Sequence, residues 1–477
     1  MPGLLSYQGK RRPNLRSYNR NVTNNLQYEE RLGTAPMTPL VFRMAVPAVV
    51  AQLVNLLYNL VDRIYIGHIY GIGTDALAGI GVTGSVIILV SAFASIVNGG
   101  AAPLASIALG RGDRALAGRY LGNGVVLLLC FSVICTLPVY IFMEPILYAV
   151  GASDVTIGYA SDYLSVYLLG TVFVQLSLGL NTFIYTQGRP GIAMTSVIIG
   201  AAMNIVLDPV FIFVLGMGVK GAAIATVISQ ACSAAWVLSF LCSRRRASLH
   251  IEWKAMRVDW KVIGATLALG VSPFVMASTE SIVGFVLNGT LKHYGDIYVS
   301  ALAIMQSAMM LVSVPLSGFA QGFIPIASYN YGRGDAPRVR SCLRVVVITM
   351  FSFNLIVVLL MILFPSVVAS IFSDDPELIS VVSGAMPLFL AGMTIFGLQR
   401  AFQNMFVALG QARLSIFIAL LRKIILLVPL ALTLPRLMGV RGVFAAEAIS
   451  DATAAVCCTV LFLIMFPRIL RKNCSRP

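Results

Sequence analysis

Apolar runs long enough to cross a lipid bilayer recur about twelve times along this chain, and that recurrence constrains the fold more than any other feature. A helix needs about 20 residues to cross the hydrocarbon and keeps its backbone hydrogen bonds within itself. The runs fall near 41–66, 76–108, 121–142, 157–185, 191–215 and 219–242, then 262–291, 298–329, 343–364, 379–408, 413–434 and 442–466. Charged residues make up 11% of the sequence, against about 25% in a soluble domain. The expected fold class is an all-α integral membrane protein of about twelve transmembrane helices, multi-pass in the cell membrane. Cys130, Cys135, Cys232, Cys457 and Cys458 lie within the apolar runs without metal-like spacing, and read as small buried hydrophobes.

The basic residues sit in alternate loops, as the positive-inside rule describes. Arg111, Arg114 and Arg119 share one side with Arg244, Arg245, Arg246, Arg333, Arg338, Arg340, Arg468, Arg471 and Lys472. The opposite loops hold Asp154 and the acidic run Asp374, Asp375 and Glu377. Both termini are therefore expected on the cytoplasmic side. This distribution assigns the net charge of +15 to membrane topology and gives no reason to expect nucleic acid as a partner. Residues 1–39, with Lys10, Arg11, Arg12, Arg16 and Arg20 and no early apolar run, read as a disordered cytoplasmic tail rather than a signal peptide.

An internal repeat divides the chain. Gly110-Arg111-Gly112-Asp113 is echoed by Gly332-Arg333-Gly334-Asp335, Gln187-Gly188-Arg189 by Gly410-Gln411-Ala412-Arg413, and Gly218-Val219-Lys220-Gly221 by Gly439-Val440-Arg441-Gly442. The offset is roughly 222 residues. The repeat gives two six-helix lobes, 40–243 and 262–466, joined by a basic linker at 244–261 and followed by a basic tail at 467–477. Secondary transporters are often built this way, with substrate binding between or within the halves. A monomer is expected.

Ionisable groups inside such spans are costly and mark candidate sites. Asn204 and Asp208 lie four apart, hence on one helix face, and Pro209 leaves the carbonyl of Ile205 without its helical donor. Counted from the loops, Asp62 in the first span, Asp208 in the fifth and Thr226 in the sixth reach similar depth in the outer half of the membrane. Asp62, Asn204, Asp208 and Thr226 are the candidate coupling site, whose oxygens suit H+ or Na+, so no organic cofactor is expected. The competing reading is packing: a buried Asp208 that bonds a neighbouring helix, and an Asp62 paired with Arg63. In the second half Arg400 lies in the tenth span, Arg422 and Lys423 in the eleventh, and Glu447 and Asp451, on one helix face, in the twelfth; Glu280, in the seventh span near Pro273, is a candidate for binding a cationic substrate or joining that network. Structural ion pairing is the first expectation for Arg422, Lys423, Glu447 and Asp451, with substrate contact second.

Tyr58-Asn59-Leu60-Val61-Asp62-Arg63, the run Ala102–Asp113 and Gln187-Gly188-Arg189-Pro190 resemble motifs of the multidrug and toxic compound extrusion (MATE) family, over nearly the whole chain from about Thr38 to Phe466. The resemblance implies a two-lobed antiporter that exports organic, often cationic, compounds against H+ or Na+. In the DinF-like branch the cation site uses an Asp in the first helix, Asn and Asp four apart in the fifth and a Thr in the sixth. Those positions correspond to Asp62, Asn204, Asp208 and Thr226. The NorM-like branch has a Glu in the seventh helix, as Glu280 is here, and an Asp in the eighth, where this chain offers only Gln306 and Gln321.

Two other functional classes compete with this reading. A lipid-linked precursor flippase of the wider superfamily would want a basic cavity, which Arg400, Arg422 and Lys423 keep open and the acids of the first half oppose. An intramembrane enzyme finds no support: His68, His250 and His293 are far apart, and HExxH, GxSxG and GxxxxGK[ST] patterns are missing from the sequence.

Overall fold

A computed structural model describes residues 27–474. The described residues form an all-helical molecule in which eleven helices are long and apolar enough to cross a membrane, and one bent pair makes a twelfth span. We number the spans α1 Met37–Gly67, α2 Gly73–Gly110, α3 Arg114–Ile141, α4 Ile157–Leu169 with Thr171–Thr186, α5 Pro190–Val214 and α6 Gly218–Leu241. The second lobe holds α7 Trp260–Lys292, α8 Asp296–Gly332, α9 Ala336–Leu363, α10 Pro376–Ala408, α11 Ala412–Met438 and α12 Val440–Cys474. The two parts of α4 meet at 58° at Gly170, where a side chain would collide with Val227 of α6.

The repeat seen in the sequence is also a repeat of backbone geometry. Asp113 caps α3 by accepting the Leu116 N–H at 2.8 Å, and Asp335 caps α9 by accepting the Arg338 N–H at 3.1 Å. The preceding Gly112 and Gly334 have φ of 80° and 75°, a region open to glycine and strained for other residues. Packing is duplicated as well: α1 lies on α5 as α7 lies on α11, and α5 on α6 as α11 on α12.

The lobes join through a crossed pair of contacts, α1 with α8 and α2 with α7. Glycine lets the backbones touch there. A methyl group on Gly322 would strike Ala45, and one on Gly318 would meet the Val49 backbone. Gly100 lies in the same way on Thr266 and Gly270 of α7. At the end of the molecule that carries the basic loops the arrangement becomes reciprocal. Gly110 abuts the carbonyl of Tyr329, and Gly332, its repeat partner, abuts the carbonyl of Ile107. Every one of these contacts lies in the half of the bundle nearest the basic loops.

Three boundaries differ from the sequence reading. Residues 27–34, expected in the disordered tail, form a helix with Leu32 fully buried, while residues 1–26 lie outside the described residues. This helix straps the lobes together. Glu29 pairs with Arg114 of the first lobe at 2.7 Å, and the Leu32 and Ala35 carbonyls accept from Asn330 and Arg338 of the second at 2.8 and 2.9 Å. The expected tail from 467 is helical through Cys474, continuing α12, with 475–477 outside the described residues. Finally, α3 and α9 begin about two turns before the expected 121 and 343, because their polar first turns, with Arg114, Arg119, Arg338 and Arg340, extend beyond the apolar stretch. The linker folds back on the first lobe, where Asn123 accepts the Asp259 N–H at 2.9 Å and Gln187 accepts that of Leu249 at 3.0 Å.

Candidate functional site

In the first lobe α1, α5 and α6 bring Asp62, Asn204, Asp208 and Thr226 to one place. Asn204 Nδ2 donates to Asp208 Oδ1 at 3.1 Å and to Thr226 Oγ1 at 3.4 Å. Asp62, on α1, lies next to Asp208 across the α1–α5 contact. Asp208 and Asn204 are buried and Asp62 is 9% exposed. Helix spacing puts Asn204 over Asp208, and Pro209 ends the regular α-helical pattern, with a π turn at Val210–Val214 after it.

Three oxygens of this cluster, Asp62 Oδ1, Asn204 Oδ1 and Asp208 Oδ2, are buried without a hydrogen-bond donor. Buried polar atoms are ordinarily satisfied, so three unpartnered acceptors in one place leave room for a positive species. No ion pair within 4.0 Å joins Asp62 to Arg63, which is exposed. Oxygen donors of this type suit a proton or a hard cation and not a soft transition metal. Tyr58 and Tyr163, both in the first lobe, are close enough to Asp62 to act on it electrostatically. The sequence reading missed both tyrosines. Tyr58 lies one turn before Asp62 on the same face, which is the signal that would have found it.

The second lobe places charge differently at the equivalent helices. Arg422 and Lys423 sit on a π-helical stretch of α11, Leu421–Leu427, opposite Glu447 and Asp451 of α12. Arg422 Nε donates to Asp451 Oδ1 at 2.6 Å and Nη2 to Oδ2 at 3.2 Å, a bidentate pair. Lys423 Nζ reaches Glu447 Oε1 at 2.9 Å. Glu447 and Asp451 are the repeat counterparts of Thr226 and Gln230. The α11–α12 pair thus carries its own countercharges, while α5–α6 does not.

Between the lobes, beginning where the glycine contacts end, lies a cavity of about 580 Å³. Gln52, Ser85 and Ile88 face it from the first lobe; Met276, Glu280, Gln306, Met309, Met310, Gln399, Arg400, Arg422, Lys423 and Glu447 face it from the second. Its volume lies in the range of sites for drug-sized ligands, about 300–1,000 Å³. Met276, Met309 and Met310 line this space, whereas Met305 and Tyr185 are core and Tyr65 packs edge-on against Phe213.

A family model described as MatE matches residues 47–210 and 274–433, most of both lobes. The chain belongs to the MatE family. Members of that family are transporters, so the protein is a multi-pass membrane transporter and not an enzyme. Among similar proteins, the multidrug export protein MepA of Staphylococcus haemolyticus is 25% identical over 427 residues, covering 88% of this chain and 91% of MepA. MepA of Staphylococcus aureus is 22% identical, covering 91% and 95%. A solved MATE structure in a bent conformation superposes with a TM-score of 0.87 at 22% identity, covering 94% of this chain and 99% of that one. A MOP-superfamily transporter from Pyrococcus furiosus, described as having a binding pocket of reversed polarity, gives 0.83 at 22% identity, covering 92% and 98%. These likenesses show a shared fold.

Proposed function

We propose that this MatE protein exports small organic compounds, cationic ones among them, in exchange for H+ or Na+ held by Asp62, Asn204, Asp208 and Thr226. The observation that carries the reading is the set of three unpartnered buried oxygens shared by α1 and α5. Two unit negative charges about 4 Å apart repel by roughly 4 kcal/mol at an effective dielectric of 20. A proton or cation removes that repulsion, and α1 is the element that feels it. The same helix packs on α5 at the site and on α8 across the lobe interface, so a shift of α1 reaches the contacts of Ala45 and Val49 with Gly322 and Gly318. Alternating access follows from that linkage: neutralisation favours one seating of α1, and charge the other.

The cavity supplies the other half of an antiport cycle. Its methionines offer an adaptable apolar surface, and relatives named for multidrug export support a broad substrate range. By the positive-inside pattern the basic-loop end faces the cytoplasm in the cell membrane.

The test is efflux of a cationic dye from proteoliposomes, driven separately by Na+ and pH gradients. Either gradient should move the dye in the parent protein, and Asp62→Asn or Asp208→Asn should abolish gradient-driven movement while the proteins remain monodisperse. Undiminished coupled efflux from both variants would remove this cluster from the mechanism.

A further inference from the structure

The cavity between the lobes is lined by two charges of opposite sign that no close ion pair takes up among the described residues. Arg422 and Lys423 are taken by Asp451 and Glu447. Glu280, on α7, is exposed to the cavity, and Arg400, on α10, lines it. Among the described residues neither makes an ion pair within 4.0 Å, with each other or with any other group. Arg400 donates from Nη2 to Ser317 Oγ at 2.7 Å, and its Nε is buried without an acceptor.

The neighbouring Gln399, 1% exposed, also lines the cavity, and its Oε1 is buried without a partner. The Phe396 ring centre is 5.6 Å from the Arg400 guanidinium and 4.4 Å from that of Arg422, contacts that neutralise neither charge. With no carboxylate within 4.0 Å and, of the acids, only the more distant Glu280 acting on it, Arg400 keeps donors to offer, and planar oxyanions match its fork.

We infer that the cavity selects molecules carrying both charges: a carboxylate or related oxyanion held by Arg400, and an amine or other cation held by Glu280. This deepens the export reading, since it rests on the cavity being the substrate site, and it narrows the expected substrate from simple cations to zwitterions. It also gives the ion-paired Arg422 and Lys423 a bystander role, with Arg400 alone reading the anion.

A matched dye pair tests it. Rhodamine 110 carries a free carboxylate and rhodamine 123 is its methyl ester, so the two share one scaffold and differ in that negative charge. Equilibrium binding to the purified full-length protein, without any gradient, is read by fluorescence anisotropy. The parent protein should bind the carboxylate form, and Arg400→Gln should weaken it roughly tenfold or more while changing the ester by less than about twofold. Arg400→Lys should recover part of the loss. Glu280→Gln should weaken both dyes. Equal loss of both dyes in Arg400→Gln would make Arg400 structural and overturn the inference, as would no loss of either.

A fluorescent polyprenyl pyrophosphate in the same binding assay separates the other source of an oxyanion. Arg400-dependent binding of that lipid with no binding of either dye would overturn the small-molecule assignment. Because binding is measured apart from transport, failure of gradient-driven efflux with the Arg400 dependence intact would refute coupling and leave the cavity's selectivity standing.

Discussion

Arg422 and Asp451 make a bidentate pair in which the two side chains are 11% and 1% exposed. Removing one partner of such a pair strands the other charge in low dielectric. Arg422→Ala should therefore destabilise the detergent-solubilised protein by about 3–5 kcal/mol, while the double variant Arg422→Leu, Asp451→Leu recovers most of that loss. Thermal unfolding followed by intrinsic fluorescence measures both, and equal destabilisation by the single and the double variant would show that the pair matters for packing shape and not for charge. Much of this chemistry was legible in the chain. Charges within apolar runs stand out, and i, i+4 spacing places Asn204 with Asp208 and Glu447 with Asp451 on shared faces. Depth counting from the loops then brings Asp62 and Thr226 to the same level. What could not be read is which charge stays unmatched. Arg400 looks like Arg422 in sequence, and only the packing of α10 against α8, which supplies Ser317 rather than a carboxylate, separates them.

Individual elements were less legible where their reasons lie far away in the chain. Residues 27–34 contain one large aliphatic side chain, Leu32, amid polar neighbours, so no periodicity announces a helix. The helix is held by partners about 300 residues on, Asn330 and Arg338, which take its last carbonyls. The glycines of the lobe interface are silent for the same reason, since nothing in a single sequence says which glycine faces another backbone. Because the strap binds both lobes, Glu29→Gln combined with Arg338→Gln should loosen the end of the molecule bearing the basic loops. A cysteine introduced by Ile107→Cys, under the Gly332 contact, should then react faster with a thiol reagent. An unchanged rate would mean that the glycine contacts alone hold that end closed.

For the molecule as a whole, the lobes touch in the half near the basic loops and part around the cavity in the other half. Ser85→Cys and Gln306→Cys should accordingly be labelled by a membrane-impermeant reagent from the side opposite the basic loops, with Ile107→Cys protected. Gly110→Leu, which forces a bulky side chain onto the Tyr329 carbonyl, should reverse that pattern. Labelling of all three sites alike in the parent protein would contradict a one-sided opening.

The strap also bears on how the molecule is made. Its residues leave the ribosome well before Asn330, Arg333 and Arg338 exist, yet those are the groups that hold it. The first lobe must therefore enter the membrane with its leading segment undocked. The seal at the basic-loop end is completed only after α8 and the start of α9 are in place, so the earliest part of the described chain finds its seat among the later ones.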